Sequence, residues 1–137
     1  MPAVLTQFQF QPGLALQDGN ALQQLVNQEF GVLAGIVALA GGGQAGATQL
    51  NAAFNIVETV ATASDSVMLP PANVGASCYV YNATAATLAI FGQVGDTIAT
   101  SQSNTQQATA TGITQATTLT ALYICFKAGQ WKQFLTA

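Results

Sequence analysis

The reactive side chains of this 137-residue chain are few enough to weigh one at a time. Five carboxylates, Asp18, Glu29, Glu58, Asp65 and Asp96, stand singly, none within five residues of the next. Glycoside hydrolysis needs two converging carboxylates, and this spacing offers no ready pair. No D-x-D calcium loop occurs either. Lys127 and Lys132 are the cations, and the chain has neither Arg nor His. Without imidazole there is no Ser-His or Cys-His nucleophile and no histidine metal ligand. No G-x-x-x-x-G-K-[ST] loop is present to cradle phosphate. Cys78 and Cys125 lack C-x-x-C spacing and lie in apolar, strand-like runs. They read as buried free thiols, with a disulfide as the alternative. Tyr79, Tyr81 and Tyr123 suit either a sugar-stacking platform or cross-strand aromatic pairing. Asp65, between two serines, and Asp96, after Gly95, read as turn residues that bind turn backbone, an ion or sugar contact being the other use. The inventory predicts no catalytic residue, no metal site and no cofactor.

Charge decides the class of protein. Charged residues are 5% of the chain, against roughly 25% in a typical soluble domain. Neutral residues carry the polar load: 25 Ala, 16 Thr and 16 Gln. Two lysines and a net charge of -3 cannot neutralise a run of phosphates, so no nucleic-acid partner is expected. Surface charge keeps proteins apart. A neutral surface gives up that protection, and it also avoids the cost of desolvating charges against a partner. The composition favours a permanent assembly subunit over a diffusing catalyst. No secretory signal is read at Met1-Pro2-Ala3. The most apolar run, GVLAGIVALA at 31–40, is about half the roughly 20 residues that span a bilayer, so no membrane partner is expected.

The elements that must position these groups are short strands. Residues 5–10, L-T-Q-F-Q-F, alternate Phe8 and Phe10 with Gln7 and Gln9, a strand signal closed by Pro12-Gly13. Its phenylalanines enter either this chain's own core or a neighbour's. Leu22, Leu25, Val26, Glu29 and Phe30 have helical spacing and predict a short helix over 21–29. The segment 31–46 is apolar, then glycine-rich. It is either buried ahead of a linker or an exposed docking loop. From residue 48 onward strand signals recur every 8–12 residues between Gly, Pro and Asn turns. Ala76 to Asn82, Thr87 to Phe91 and Thr117 to Phe126 are the clearest, and the polar run 101–110 reads as a long loop. Trp131 and Phe134 do not share a face by alternation. Asn82-Ala83-Thr84 matches a glycosylation acceptor by chance. One structural domain is expected, with an arm, helix and apolar segment over 1–46 and a body over 47–137. The fold class is all-β, a jelly-roll-like antiparallel β-sandwich.

Several stretches in order carry a family resemblance. They are Asn55-Ile56-Val57-Glu58-Thr59-Val60, Val67-Met68-Leu69-Pro70 and Gly75-Ala76-Ser77-Cys78-Tyr79-Val80-Tyr81-Asn82. Ala89-Ile90-Phe91-Gly92, Gly95-Asp96-Thr97-Ile98 and Tyr123-Ile124-Cys125-Phe126-Lys127-Ala128-Gly129-Gln130-Trp131 follow. This layout, over residues 48–137, resembles small β-rich virion proteins of tailed bacteriophages, above all capsid cement (decoration) proteins with a jelly-roll fold. The resemblance implies a non-enzymatic subunit on the outer capsid surface, made in the host cytoplasm. It implies the major capsid protein as partner and self-association as a dimer or trimer, the dimer being the commoner symmetric solution. The same strand pattern occurs in phage fibre and tail domains, which leaves a glycan-binding module as the rival. The residues expected at the partner interface are Phe8, Phe10, Phe30, Val32, Leu33 and Ile36, from the arm and the apolar segment.

Overall fold

A computed structural model describes residues 31–107 and 110–136. The predicted arm, the helix over 21–29, and with them Phe8, Phe10 and Phe30, lie outside the described residues. Eleven strands follow in order: β1 (Val32–Val37), β2 (Thr48–Gln49), β3 (Phe54–Thr59), β4 (Asp65–Met68), β5 (Ser77–Asn82), β6 (Leu88–Phe91), β7 (Thr97–Ala99), β8 (Gln106–Gln107), β9 (Ile113–Gln115), β10 (Thr120–Lys127) and β11 (Gln130–Thr136). No helix occurs among the described residues. A seven-stranded sheet, ordered β1-β3-β5-β10-β11-β7-β8, packs on a four-stranded one, β2-β4-β6-β9. The all-β sandwich read from the strand spacing is what the chain forms.

The pairing is richer than a wholly antiparallel arrangement. From β1 to β6 the chain alternates between the sheets, and each strand lies parallel to the one two before it. These six strands form a flattened coil. Its steps in the large sheet are 22 residues (Val32 beside Phe54) and 25 residues (Phe54 beside Tyr79). Parallel neighbours need long crossovers, and here the crossover is the strand in the opposite sheet. The second half is mostly antiparallel. The β10–β11 hairpin pairs with β5 on one side, and β9 pairs with β6. On its other side β11 takes β7 in parallel. The expected antiparallel order therefore holds for this half and not for the coil. Alternation alone marks strands and says nothing about their partners.

The segment 31–46 resolves into an edge strand and a glycine turn. Register slips on either side of Ile36, and Gly35 takes the left-handed φ of 73° that its lack of a side chain permits. This irregularity is why the run shows no clean alternation. The core between the sheets draws on Val57, Val80, Tyr123 and Trp131 from the large sheet and on Val67, Leu69, Leu88 and Ile90 from the small one. Gly112 lets β9 reach β6. A Cβ there would lie 2.8 Å from the Ile90 carbonyl oxygen and from the Phe91 ring. Of the polar run, residues 101–107 are described and form a loop that leads into the two-residue strand β8.

Candidate functional site

Strand alternation gives the large sheet an inner and an outer face, and the registers sort its residues. On the inner face Tyr123 is fully buried and its hydroxyl donates to Gln115 Oε1 at 2.9 Å. The same hydroxyl accepts from Gln133 Nε2 at 2.9 Å. Gln115 Nε2 donates to the Val80 and Leu119 carbonyls, both at 2.8 Å. Burial raises the Tyr123 phenol well above its ordinary pKa, so it stays a neutral donor. Asn55 and Asn82, both fully buried, bond loop and strand backbone around them. Asn82 Oδ1 also accepts from the Thr84 amide and hydroxyl.

The outer face carries a row of apolar side chains. Register places Val32 beside Phe54, Phe54 beside Tyr79, Tyr79 beside Leu122, and Leu122 beside Phe134. The row crosses β1, β3, β5, β10 and β11, five adjacent strands at about 4.8 Å each. Phe54 and Tyr79 stack with centroids 5.6 Å apart, the cross-strand pairing expected of strand tyrosines. Val32 is 68% exposed, Tyr79 39% and Phe134 46%. Ile56 and Tyr81, half-buried, form a second, shorter row behind it. A groove of about 520 Å³ opens at the Tyr79 end, with Pro70, Asn73, Val74 and Ser77 in its wall.

The remaining candidates fall as follows. Val32 and Leu33 are exposed on β1, where a partner can reach them. Ile36 belongs to the core instead, because the slip at Gly35 turns it inward. Asp65, the first residue of β4, binds turn backbone as read. Its carboxylate accepts from the amides of Gly41, Ala61 and Thr62 and from the Thr62 hydroxyl, at 2.7 to 3.1 Å. The Thr62 bonds lead in holding its pKa below the ordinary value. Asp96 differs from that reading, since its Oδ2 is buried without a hydrogen-bond partner. Cys78 and Cys125 are free and buried, as expected, and burial pushes the Cys78 thiol up to about 12. Lys132 lies on β11. Its ammonium donates to the Thr100 and Ser103 carbonyls and to Asn104 Oδ1 at 2.7 to 3.2 Å, and so ties down that loop. Among the described residues no group of three or more acidic or thiol side chains is placed to hold a metal.

The sequence reading missed the outer row, because its members come from five strands and meet only through register. The buried glutamines gave no signal either, since a strand Gln looks the same whichever way it points. Comparison with protein-family models, with curated proteins and with solved structures finds no match.

Proposed function

We propose that this chain is a structural virion subunit, a capsid cement protein that binds the outer surface of a phage head and clamps neighbouring major capsid proteins. The observation that carries this reading is the outer apolar row, Val32-Phe54-Tyr79-Leu122-Phe134, on a sheet face whose strands also carry Glu58 and Lys132. A contiguous apolar patch marks a surface that meets a partner. Val32, Tyr79 and Phe134 are 39–68% exposed, and covering what remains exposed of one such side chain stabilises an assembly by about 1 kcal/mol. Many such modest contacts, repeated around a shell, add by avidity. The resemblance of residues 48–137 to cement proteins favours a major capsid protein as the partner, and the net charge of -3 suits a position away from packaged DNA. The subunit self-associates as a two-fold dimer, the commonest closed arrangement.

Particles made with and without the chain test the reading. Shells lacking it are expected to lose integrity under heat or osmotic shock that complete shells survive. Equal survival would remove the stabilising role. Sedimentation of the isolated chain as a monomer at micromolar concentration would remove the dimer.

The groove beside Tyr79 favours a second reading, a fibre or tail domain that binds host glycans. Asn73 and Ser77 supply polar groups next to an aromatic ring, the combination sugar sites use. Saturable binding on a glycan array, lost in Tyr79→Ala, would put this reading ahead of the first.

A further inference from the structure

We infer that the groove beside Tyr79 binds neutral oligosaccharides and discriminates against anionic ones, with the Phe54–Tyr79 stack as its platform. The inference rests on the second reading above, a glycan-binding domain, and names its ligand class. The groove is built before any ligand arrives. Its wall, residues 70–77, is tied to the body by backbone hydrogen bonds. The Gly75 amide donates to the Cys125 carbonyl, the Cys125 amide to the Ala76 carbonyl and the Gly129 amide to the Ala72 carbonyl, at 2.8 to 3.1 Å. Within the wall the Ala76 amide donates to the Asn73 carbonyl at 2.9 Å. Tyr79 is held as firmly, its amide donating to the Ala53 carbonyl at 2.8 Å and its ring stacked on Phe54. A fixed wall and a fixed ring leave little freedom to be lost on binding. The volume of about 520 Å³ falls within the roughly 300–1,000 Å³ of small-ligand sites.

The lining sets the chemistry of the ligand. Its eight residues carry no charge, and neither lysine is among them. The Lys132 ammonium is committed to oxygens of the 100–104 loop. A carboxylate or sulfate seated in the groove would shed water without gaining a cation, and would approach a protein of net charge -3 against its field. A hydroxyl avoids both costs. The Asn73 amide and the Ser77 hydroxyl each donate and accept, as sugar hydroxyls do. Ala53, Pro70 and Val74 give apolar surface for the C–H side of a sugar ring, and Tyr79, still 39% exposed, gives an aromatic one. A proline-rich peptide also suits an aromatic groove. Its prolines offer acceptors alone, and so match the two polar groups less well.

A glycan array carrying neutral, sialylated and uronate oligosaccharides, probed with the full-length chain, tests the inference. Neutral oligosaccharides should bind about tenfold or more tighter than anionic ones. Equal or tighter binding of the anionic sugars would overturn the inference and leave the glycan reading standing. No binding to any sugar would remove both. Binding of a decaproline peptide in place of sugars would assign the groove to a peptide and overturn the inference as well. Titration of the isotope-labelled chain with the tightest neutral sugar should move the amide resonances of residues 73–79, and shifts confined to other residues would overturn the site. Tyr79→Ala should weaken binding about tenfold, while Tyr79→Phe, which keeps the ring, should stay within about threefold of the native chain. An equal loss in both would remove the ring as platform. Asn73→Ala leaves the stacked pair untouched and should weaken binding about fivefold. Unchanged affinity in that variant would remove the wall from the site.

Discussion

The two faces of the large sheet reverse the usual assignment of polar and apolar residues. The inner face buries Tyr123, Gln133, Asn55 and Asn82, yet each is tied to a partner in the other sheet, a loop or a neighbouring strand. The outer face leaves a row of aliphatic and aromatic side chains partly in water. A buried amide costs little once its hydrogen bonds are made and a great deal when they are not. An exposed apolar row contributes little to the isolated chain and much to an assembly. The inner face therefore specifies the fold, and the outer face is what this fold has to offer a partner.

Substitutions on the two faces test that contrast. Trp131, fully buried from β11, should show the largest effect. Trp131→Ala is expected to cost about 3–5 kcal/mol in denaturant unfolding. Gln115→Leu keeps the bulk but strips partners from the Val80 and Leu119 carbonyls and from Tyr123, and should cost about 3 kcal/mol. Asp65 tests the same rule at the small sheet. Its pKa is lowered on folding, so its stabilising contribution is complete above the unfolded value of about 3.9 and is lost as pH falls through the lower folded value. The gap in unfolding midpoint between the native chain and Asp65→Asn should be constant from pH 7 to 5 and close below pH 4. On the outer face, Phe134→Ser is expected to change stability by about 0.5 kcal/mol or less while lowering occupancy on shells. A loss matching that of Gln115→Leu would erase the contrast. Smallest of all, Cys78 should resist alkylation at pH 8 in the folded chain, its thiol being buried and raised to about 12. A cysteine introduced next door by Ser77→Cys, on the exposed side, should react at an ordinary rate with no change in stability.

The strands around 77–82, 88–91 and 120–127 are legible in the sequence, because β-branched and aromatic runs between turn residues have few other uses. Their partners are not. β3 and β5 lie side by side through a 25-residue step that passes through the other sheet, and no local pattern encodes such a step. β1 was legible as apolar but not as a strand, since the slip at Gly35 breaks its alternation. Of the residues expected at an interface, Val32 and Leu33 are on the surface and Ile36 is not. That difference rests on one register slip. The outer row had no signature at all. Adjacent members of the row Phe54, Tyr79, Leu122 and Phe134 lie up to 43 residues apart in the chain, and only their register makes them neighbours.

The place of β11 has a consequence for the order in which the sheet can be completed. β7 and β8 are synthesised before β10 and β11, yet β7 touches the rest of the large sheet through β11. As the chain emerges from the ribosome, the coil from β1 to β6 can close turn by turn, each strand onto one already made. The β7–β8 ribbon has to wait. Until residues 130–136 arrive, Ile98 has no Trp131 beside it and the large sheet ends at β10. The molecule is thus closed by a strand inserted into the middle of its sheet rather than added at a margin. A chain stopped before Gln130 would retain the coil and lose a single continuous outer face.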